Sequence, residues 1–223
     1  SNGNNNDNGL DVTNPAVAGI RTGGVTLSLG GEPTNDGNGA NSNLSVDLGF
    51  VTYDWGDLPP TYPTLLADNG PRHAVVSGFY LGNSVDSETN GQPNATASGD
   101  DANGGPDDED GVRFNRWLVG QTGVVTVTAS ASGILNAWVD FNGNGTLDEG
   151  SERIFSEQAL SVGPNVLSVS VPVTSVETLY MRFRFTKSTS QATTPSGVAA
   201  NGEVEDYVIN SVQADFGDLP NGY

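Results

Sequence analysis

The chain has 223 residues, with 27 Asp and Glu against 8 Lys and Arg, a formal net charge of −19, and no cysteine. Such a charge repels phosphate backbones and anionic headgroups, so nucleic acid and lipid headgroups are poor partners and no membrane insertion is expected, and without cysteine there are neither disulfide staples nor thiolate zinc sites. Carboxylates at this density suit hard divalent cations, although acidity also serves solubility alone.

No apolar run approaches the ~20 residues of a membrane span, and no basic-then-apolar leader opens the chain. This fits a mature product or a piece of something longer.

In chain order, the pattern has a period of two rather than 3.6, the signature of strands with one apolar face. In LSVDLGFV, Leu44, Val46, Leu48 and Phe50 share one face. VVTVTAS begins at Val124, and ILNAWVDF puts Leu135, Ala137, Val139 and Phe141 together. SERIFSEQAL, from Ser151, is read as a strand. VLSVSVPV groups Leu167, Val169, Val171 and Val173. LYMRFRFT groups Leu179, Met181, Phe183 and Phe185, alternating with Tyr180, Arg182 and Arg184.

Gly, Asn, Asp and Pro clusters separate these runs, so helix content should be very low. The fold class is all-β, an antiparallel sandwich of immunoglobulin-like or jelly-roll-like type, with calcium-binding loops and an N-terminal β-strand extension.

YDWGDLPPTYPT, from Tyr53, returns as ADFGDLPNGY from Ala214, 161 residues later between Asp54 and Asp215. A phrase repeated at that distance reads as the opening of a tandem module. The expected organisation is an extension over residues 1–52, one module over 53–211 and the start of another over 212–223.

Three constellations concentrate oxygen donors. GDDANGGPDDEDGV packs Asp100, Asp101, Asp107, Asp108, Glu109 and Asp110 into eleven residues without a basic one. Asp86 and Glu88 precede it, and Glu203, Glu205 and Asp206 of GEVEDY can approach it if the last strand lies alongside. Carboxylates so close repel one another unless a cation joins them; the alternative is a solvated acidic loop.

DFNGNGTLDEGSE follows a twelve-residue calcium loop, which takes oxygens from positions 1, 3, 5, 7 and 9 and turns on a glycine at 6. Those positions are Asp140, Asn142, Asn144, Thr146 through its carbonyl, and Asp148, with Gly145 as the turn. Position 12 is Ser151, and the acid Glu152 comes one residue later, so the closing ligand is open between them. The preceding segment is a strand, so the loop is mounted on a β-hairpin. Its two Asn ligands imply modest affinity, on the order of 10⁻⁴ to 10⁻³ M. An ion-free Asn/Gly turn is the other reading. Asp54 and Asp57 in DWGDLP are either further ligands or parts of an ordinary turn anchored by a tryptophan.

Catalytic constellations are missing. His73 is the single histidine, with no Cys and no Ser in a nucleophile-elbow motif, and reads as structural. Trp55, Trp117 and Trp138 read as core rather than as a sugar platform. The expectation is that the chain is not an enzyme.

DWGDLPxxYPT (Asp54 to Thr64), GPRH, VDSETNGQP, GDD…DDEDGV, WVDFNGNGTLDEGSE and GEVEDY (Gly202 to Tyr207), in that order, resemble the GEVED-domain modules of very large bacterial surface and secreted proteins. Residues 17–51 resemble the closing strands of a B-type repeat domain of serine-aspartate-repeat adhesins. The resemblance implies extracellular or cell-surface, calcium-associated, adhesive or structural roles.

The expected function is thus an extracellular, Ca2+-stabilised structural module of a bacterial surface protein or self-assembling filament. Its partners would be adjacent modules or copies of itself, joined head to tail by strand complementation, because unpaired strands expose a row of main-chain donors and acceptors. The alternative is an adhesin or carbohydrate-binding module recognising a surface polysaccharide or protein.

Overall fold

The alternating segments between residues 122 and 210 are strands, because each has one face that only burial satisfies. The computed structural model describes residues 51–99, 108–147 and 150–213. The chain divides into two compact units, residues 1–50 and 51–223. The first unit lies outside the described residues, and with it LSVDLGFV and the N-terminal extension. Asp100, Asp101, Asp107, Asp148 and the second DFGDLP phrase lie outside them too.

The described strands are β1 (Tyr53–Trp55), β2 (Arg72–Ala74), β3 (Val112–Phe114), β4 (Thr122–Ala129) and β5 (Gly133–Val139). They continue with β6 (Arg153–Leu160), β7 (Gly163–Ser170), β8 (Thr178–Thr186), β9 (Val198–Ala199) and β10 (Glu203–Asn210). The helical residues described form a single 3₁₀ turn, Leu66–Asp68. No helix among the described residues is long and apolar enough to cross a membrane.

A four-stranded sheet runs β10-β8-β5-β6 and a three-stranded sheet runs β3-β4-β7, both antiparallel. Their facing sides enclose the main core, in which Trp117, Val125, Val127, Leu135, Leu179, Met181, Phe183 and Phe185 have no exposed surface. Burying each such side chain contributes roughly 1.5–3 kcal/mol. The fold is therefore the all-β sandwich expected, and SERIFSEQAL is a strand, β6.

The sequence suggests half-buried strands, but β5 and β8 are buried on both faces. A third layer covers the outer face of the large sheet. It holds the small β1-β2-β9 sheet, in which β2 and β9 are parallel, and the loops of residues 57–71, 83–99 and 187–197. Beneath it lie Leu58, Tyr62, Trp138 and Leu147, and also the fully buried Asn136, Arg182 and Arg184. Alternation marks a second face as polar; it cannot show that the polar face is covered.

All three tryptophans are buried, at 3% exposure or less. Val173, assigned by alternation to the apolar face of VLSVSVPV, lies beyond the end of β7 and is 79% exposed.

Candidate metal centre

β10 carries the sequence EVEDYVIN, and its pleat sends odd and even residues to opposite faces. The two faces treat their acids differently.

On the even face, Asp206 meets Arg182, which donates Nε to Oδ1 and Nη2 to Oδ2, each at 2.7 Å, with both side chains fully buried. The remaining guanidinium nitrogen donates to the carbonyls of Pro63 and Pro195 at 3.0 and 3.1 Å. Asp206 Oδ2 also accepts the main-chain N–H groups of Asp57 and Leu58 at 2.7 and 2.9 Å. In return, Asp54 Oδ2 accepts Val204 N–H at 2.6 Å.

The DWGDLP turn at the start of the domain is thus clasped to the last strand. Gly56 belongs to the clasp, because a Cβ there would stand 2.5 Å from Asp206 Oδ2 and 3.0 Å from Arg182 Nη2. Asp57 Oδ2 accepts Gly99 N–H at 2.5 Å, holding the next loop in place. Asp206 therefore does not join the acidic group on the other face.

Next along β8, Arg184 donates Nε to His73 Nε2 at 3.0 Å and its other nitrogens to the carbonyls of Thr194, Ser196 and Gly197. A guanidinium only donates, so Nε2 accepts and Nδ1–H donates to Asn201 O at 3.0 Å. Burial first, and the Arg184 charge second, hold His73 well below the ordinary imidazole range. The histidine is structural.

On the odd face, Glu203 and Glu205 point into the sandwich interior, in register with Phe185 and Phe183 of β8. They are 0% and 1% exposed. Glu203 Oε2 accepts Leu81 N–H, and Glu205 Oε1 accepts Gly111 N–H at 2.9 Å. Their second oxygens, Glu203 Oε1 and Glu205 Oε2, have no hydrogen-bond partner among the described residues.

Other acids surround them. Asp108, 4% exposed, accepts Asp86 N–H at 2.9 Å, and Glu88 accepts Trp55 N–H at 3.0 Å. Asp86 Oδ1 is buried and has no hydrogen-bond partner among the described residues. Asp110 sits at the rim and holds the main-chain and side-chain nitrogens of Asn83 at 2.8 and 2.6 Å.

The electrostatics follow. Burial, then the charges of Glu205, Asp54 and Asp108, push Glu203 well above the carboxylate range. Burial pushes Glu205 up to about 8, with Asp110 and Asp108 adding to it. Glu88 rises to about 9, chiefly by burial and then by its contact with Asp86. A main-chain amide holds one oxygen of each of Glu88, Glu203 and Glu205. This fixes the carboxylate without neutralising it. The donor chemistry is that of a hard divalent cation. As they stand, no three Asp, Glu or His side chains among the described residues converge at ligating distance.

The β5–β6 connection forms the second candidate. Asp140, 1% exposed, accepts Gly143 N–H at 2.7 Å and Asn144 N–H at 3.3 Å on Oδ1, and Gly145 N–H at 2.9 Å and the Tyr62 hydroxyl at 2.7 Å on Oδ2. Asn142 Oδ1 accepts Asn144 N–H, and Asn144 Oδ1 accepts the N–H and hydroxyl of Thr146. Side chains two apart thus curl the chain around one centre, with Gly143 and Gly145 at φ 70° and 78°, where other residues are strained. Glu152, 1% exposed, accepts Asn142 Nδ2–H at 2.7 Å, whereas Ser151 is exposed. Of the two closing residues left open by spacing, the structure brings Glu152 to the loop.

Sequence reading missed two relationships: the Asp206–Arg182 pair and the clasp made by Asp54 and Asp57. A signal was available for the first. Arg182 and Arg184 alternate with core residues in a chain that has few cations, and buried guanidinium groups need carboxylate or carbonyl partners.

The fold and site define an antiparallel β-sandwich module with a buried acidic centre. Residues 134–210, from β5 through β10, match the family model of the GEVED domain. No curated protein and no solved structure matches the chain.

Proposed function

We propose that the unit beginning near Tyr53 is an extracellular, calcium-stabilised structural module of a bacterial surface protein or self-assembling filament, and that it is not a catalyst. One observation carries this reading: two glutamates of one strand are buried against an apolar core, each with an oxygen that has no hydrogen-bond partner among the described residues. Buried charge without compensation is strongly unfavourable, so such groups hold protons or a cation. Calcium is the cation that oxygen-rich, flexible donor sets of this kind take in extracellular modules.

Glu203, Glu205, Asp86, Asp108 and Asp110 would supply one site, together with Glu88 and Asp54. Asp140, Asn142, Asn144, Thr146 and Glu152 would supply another on the hairpin. Calcium then acts as a brace in a chain with no disulfide. Copies of the chain, or adjacent modules, are the proposed partners. The buried tryptophans offer no stacking platform, so nothing favours the carbohydrate-binding alternative.

Thermal melting in calcium and in chelator tests this. A ligand that binds only the folded state at a hundredfold excess over Kd contributes about 2.7 kcal/mol, which is roughly 5–10 °C in a domain of this size. An unchanged melting temperature would remove the calcium reading.

A further inference from the structure

The sandwich is closed on one side and open on the other. On the closed side the β6–β7 hairpin, turning between Leu160 and Gly163, carries the chain from the large sheet to the small one. On the open side the edges are β10 and β3. Past one end of these edges Val212 N–H donates to Trp117 O at 2.8 Å and Val119 N–H to Val212 O at 3.0 Å, and at the other end Gly111 N–H donates to Glu205 Oε1 at 2.9 Å and Val112 N–H to the Tyr207 hydroxyl at 3.1 Å.

Between these links lies a groove of about 630 Å³ lined by Val112, Phe114, Tyr207 and Ile209, with Arg113 and Arg116 also in its lining. The Phe114 and Tyr207 rings meet edge to face at 5.3 Å and form its apolar floor.

Hydrogen-bond parity shows what the edges present. Val204 N–H turns away from β8 to Asp54, and Val212 N–H turns away to Trp117. Even-numbered residues of β10, Val208 included, therefore direct their main-chain groups outward. In β3, Gly111 O and Asn115 N–H bond toward β4, so Phe114 directs its own toward the groove. Neither Val208 nor Phe114 has an outward main-chain partner among the described residues.

The charge is equally specific. Arg182 and Arg184 are buried, Arg72 and Arg153 lie over Trp55 and Trp138, and Lys187 lies over Phe79. Arg113 and Arg116 are the exposed arginines of the described residues, both at this groove, in a chain of net charge −19.

We propose that this groove accepts residues 44–50, LSVDLGF, of a second copy as an added strand. The segment alternates Leu44, Val46, Leu48 and Phe50 with Ser45 and Asp47, so its apolar side would cover Phe114, Tyr207 and Ile209 while Asp47 faces outward beside Arg113. VTLSLG, residues 25–30, has the same alternation but no charge to match these arginines.

The occupant comes from another chain because of reach. Thr52 O accepts Val75 N–H beside the Gly202 end of β10, and Val208 lies six residues on, about 20 Å at the rise of a strand. Leu48 and Phe50 are four and two residues from Thr52, which span at most about 14 and 7 Å. Leu48 and Phe50 of the same chain therefore fall short of Val208.

The proposal rests on reading the chain as a self-associating module and does not require calcium. The cysteine-free sequence makes the test clean. Full-length Ser45→Cys and Arg113→Cys chains are mixed and oxidised, in calcium and in chelator. The expected result is a two-chain disulfide species at least tenfold above that from Ser45→Cys with Val166→Cys, which is exposed on β7. Arg113→Glu with Arg116→Glu should lower self-association at least tenfold, and adding Asp47→Arg should restore it.

Equal yields with Val166→Cys, an intramolecular disulfide in a chain carrying both cysteines, or charge reversal without effect would overturn the proposal. Cross-linking that persists while chelator leaves melting unchanged would fail the calcium reading alone. A melting shift without the cross-link would fail this inference alone.

Discussion

The two faces of β10 solve the same problem in opposite ways. Asp206, on the even face, meets a guanidinium that the chain itself supplies, and both its oxygens are engaged. Glu203 and Glu205, on the odd face, meet more carboxylates. Neighbouring residues of one strand thus show a self-sufficient charge beside a pair that no described residue neutralises, and protons or a cation would compensate it.

The largest effect should come from breaking the self-sufficient face. Arg182→Met leaves Asp206 buried and unpaired, and losing one partner of such a pair costs about 3–5 kcal/mol. Urea denaturation should show this loss equally in calcium and in chelator. A loss that calcium rescues would mean that the two faces are not independent.

Glu203→Gln with Glu205→Gln sharpens the contrast from the other side. Removing two repelling charges should raise stability in chelator and abolish the calcium-dependent gain, about 2.7 kcal/mol at a hundredfold excess over Kd. Melting curves in both conditions give the two numbers. If the variant keeps the full calcium shift, the odd face does not bind the cation.

The faces should also titrate in opposite senses. Glu205 and Glu88 hold protons in the folded chain up to about 8 and 9, whereas their unfolded counterparts release them near 4.3. The stability they confer is present below the unfolded value and lost as pH rises through the folded one. For Glu205 the loss is at most about 1.4 kcal/mol per pH unit. His73 runs the other way: it is held neutral when folded, so its contribution is present above about pH 6.5 and lost as pH falls below that. Melting against pH in chelator should show both limbs, and calcium should flatten the alkaline limb only.

The smallest effect belongs to the hairpin loop. Asn142→Ala removes the bonds to Asn144 N–H and Glu152, a loss of about 1 kcal/mol in chelator. The loss should grow in calcium if the loop holds an ion.

Much of this fold was legible because burial imposes a period of two on any strand with one face in a core. Leu135, Ala137 and Val139, like Leu179 through Phe185, could be placed on a face from spacing alone. The third layer was not legible, since the sequence NAWV gives no sign that loops from elsewhere will cover Asn136 and Trp138. The acids divided along the same line. That Glu203 and Glu205 could meet Asp108 followed from a shared excess of like charge. That Asp206 turns away followed only from the pleat, and its partner lies in β8.

The clasp between the DWGDLP turn and β10 joins residues 149 and 150 positions apart. A ribosome or a translocation pore delivers Asp57 long before Asp206 and Arg182, and long-range pairing of this kind is slow because the intervening loop must close first. The domain therefore cannot lock until nearly all of it has emerged. Until β10 arrives, the DWGDLP turn stays unclasped.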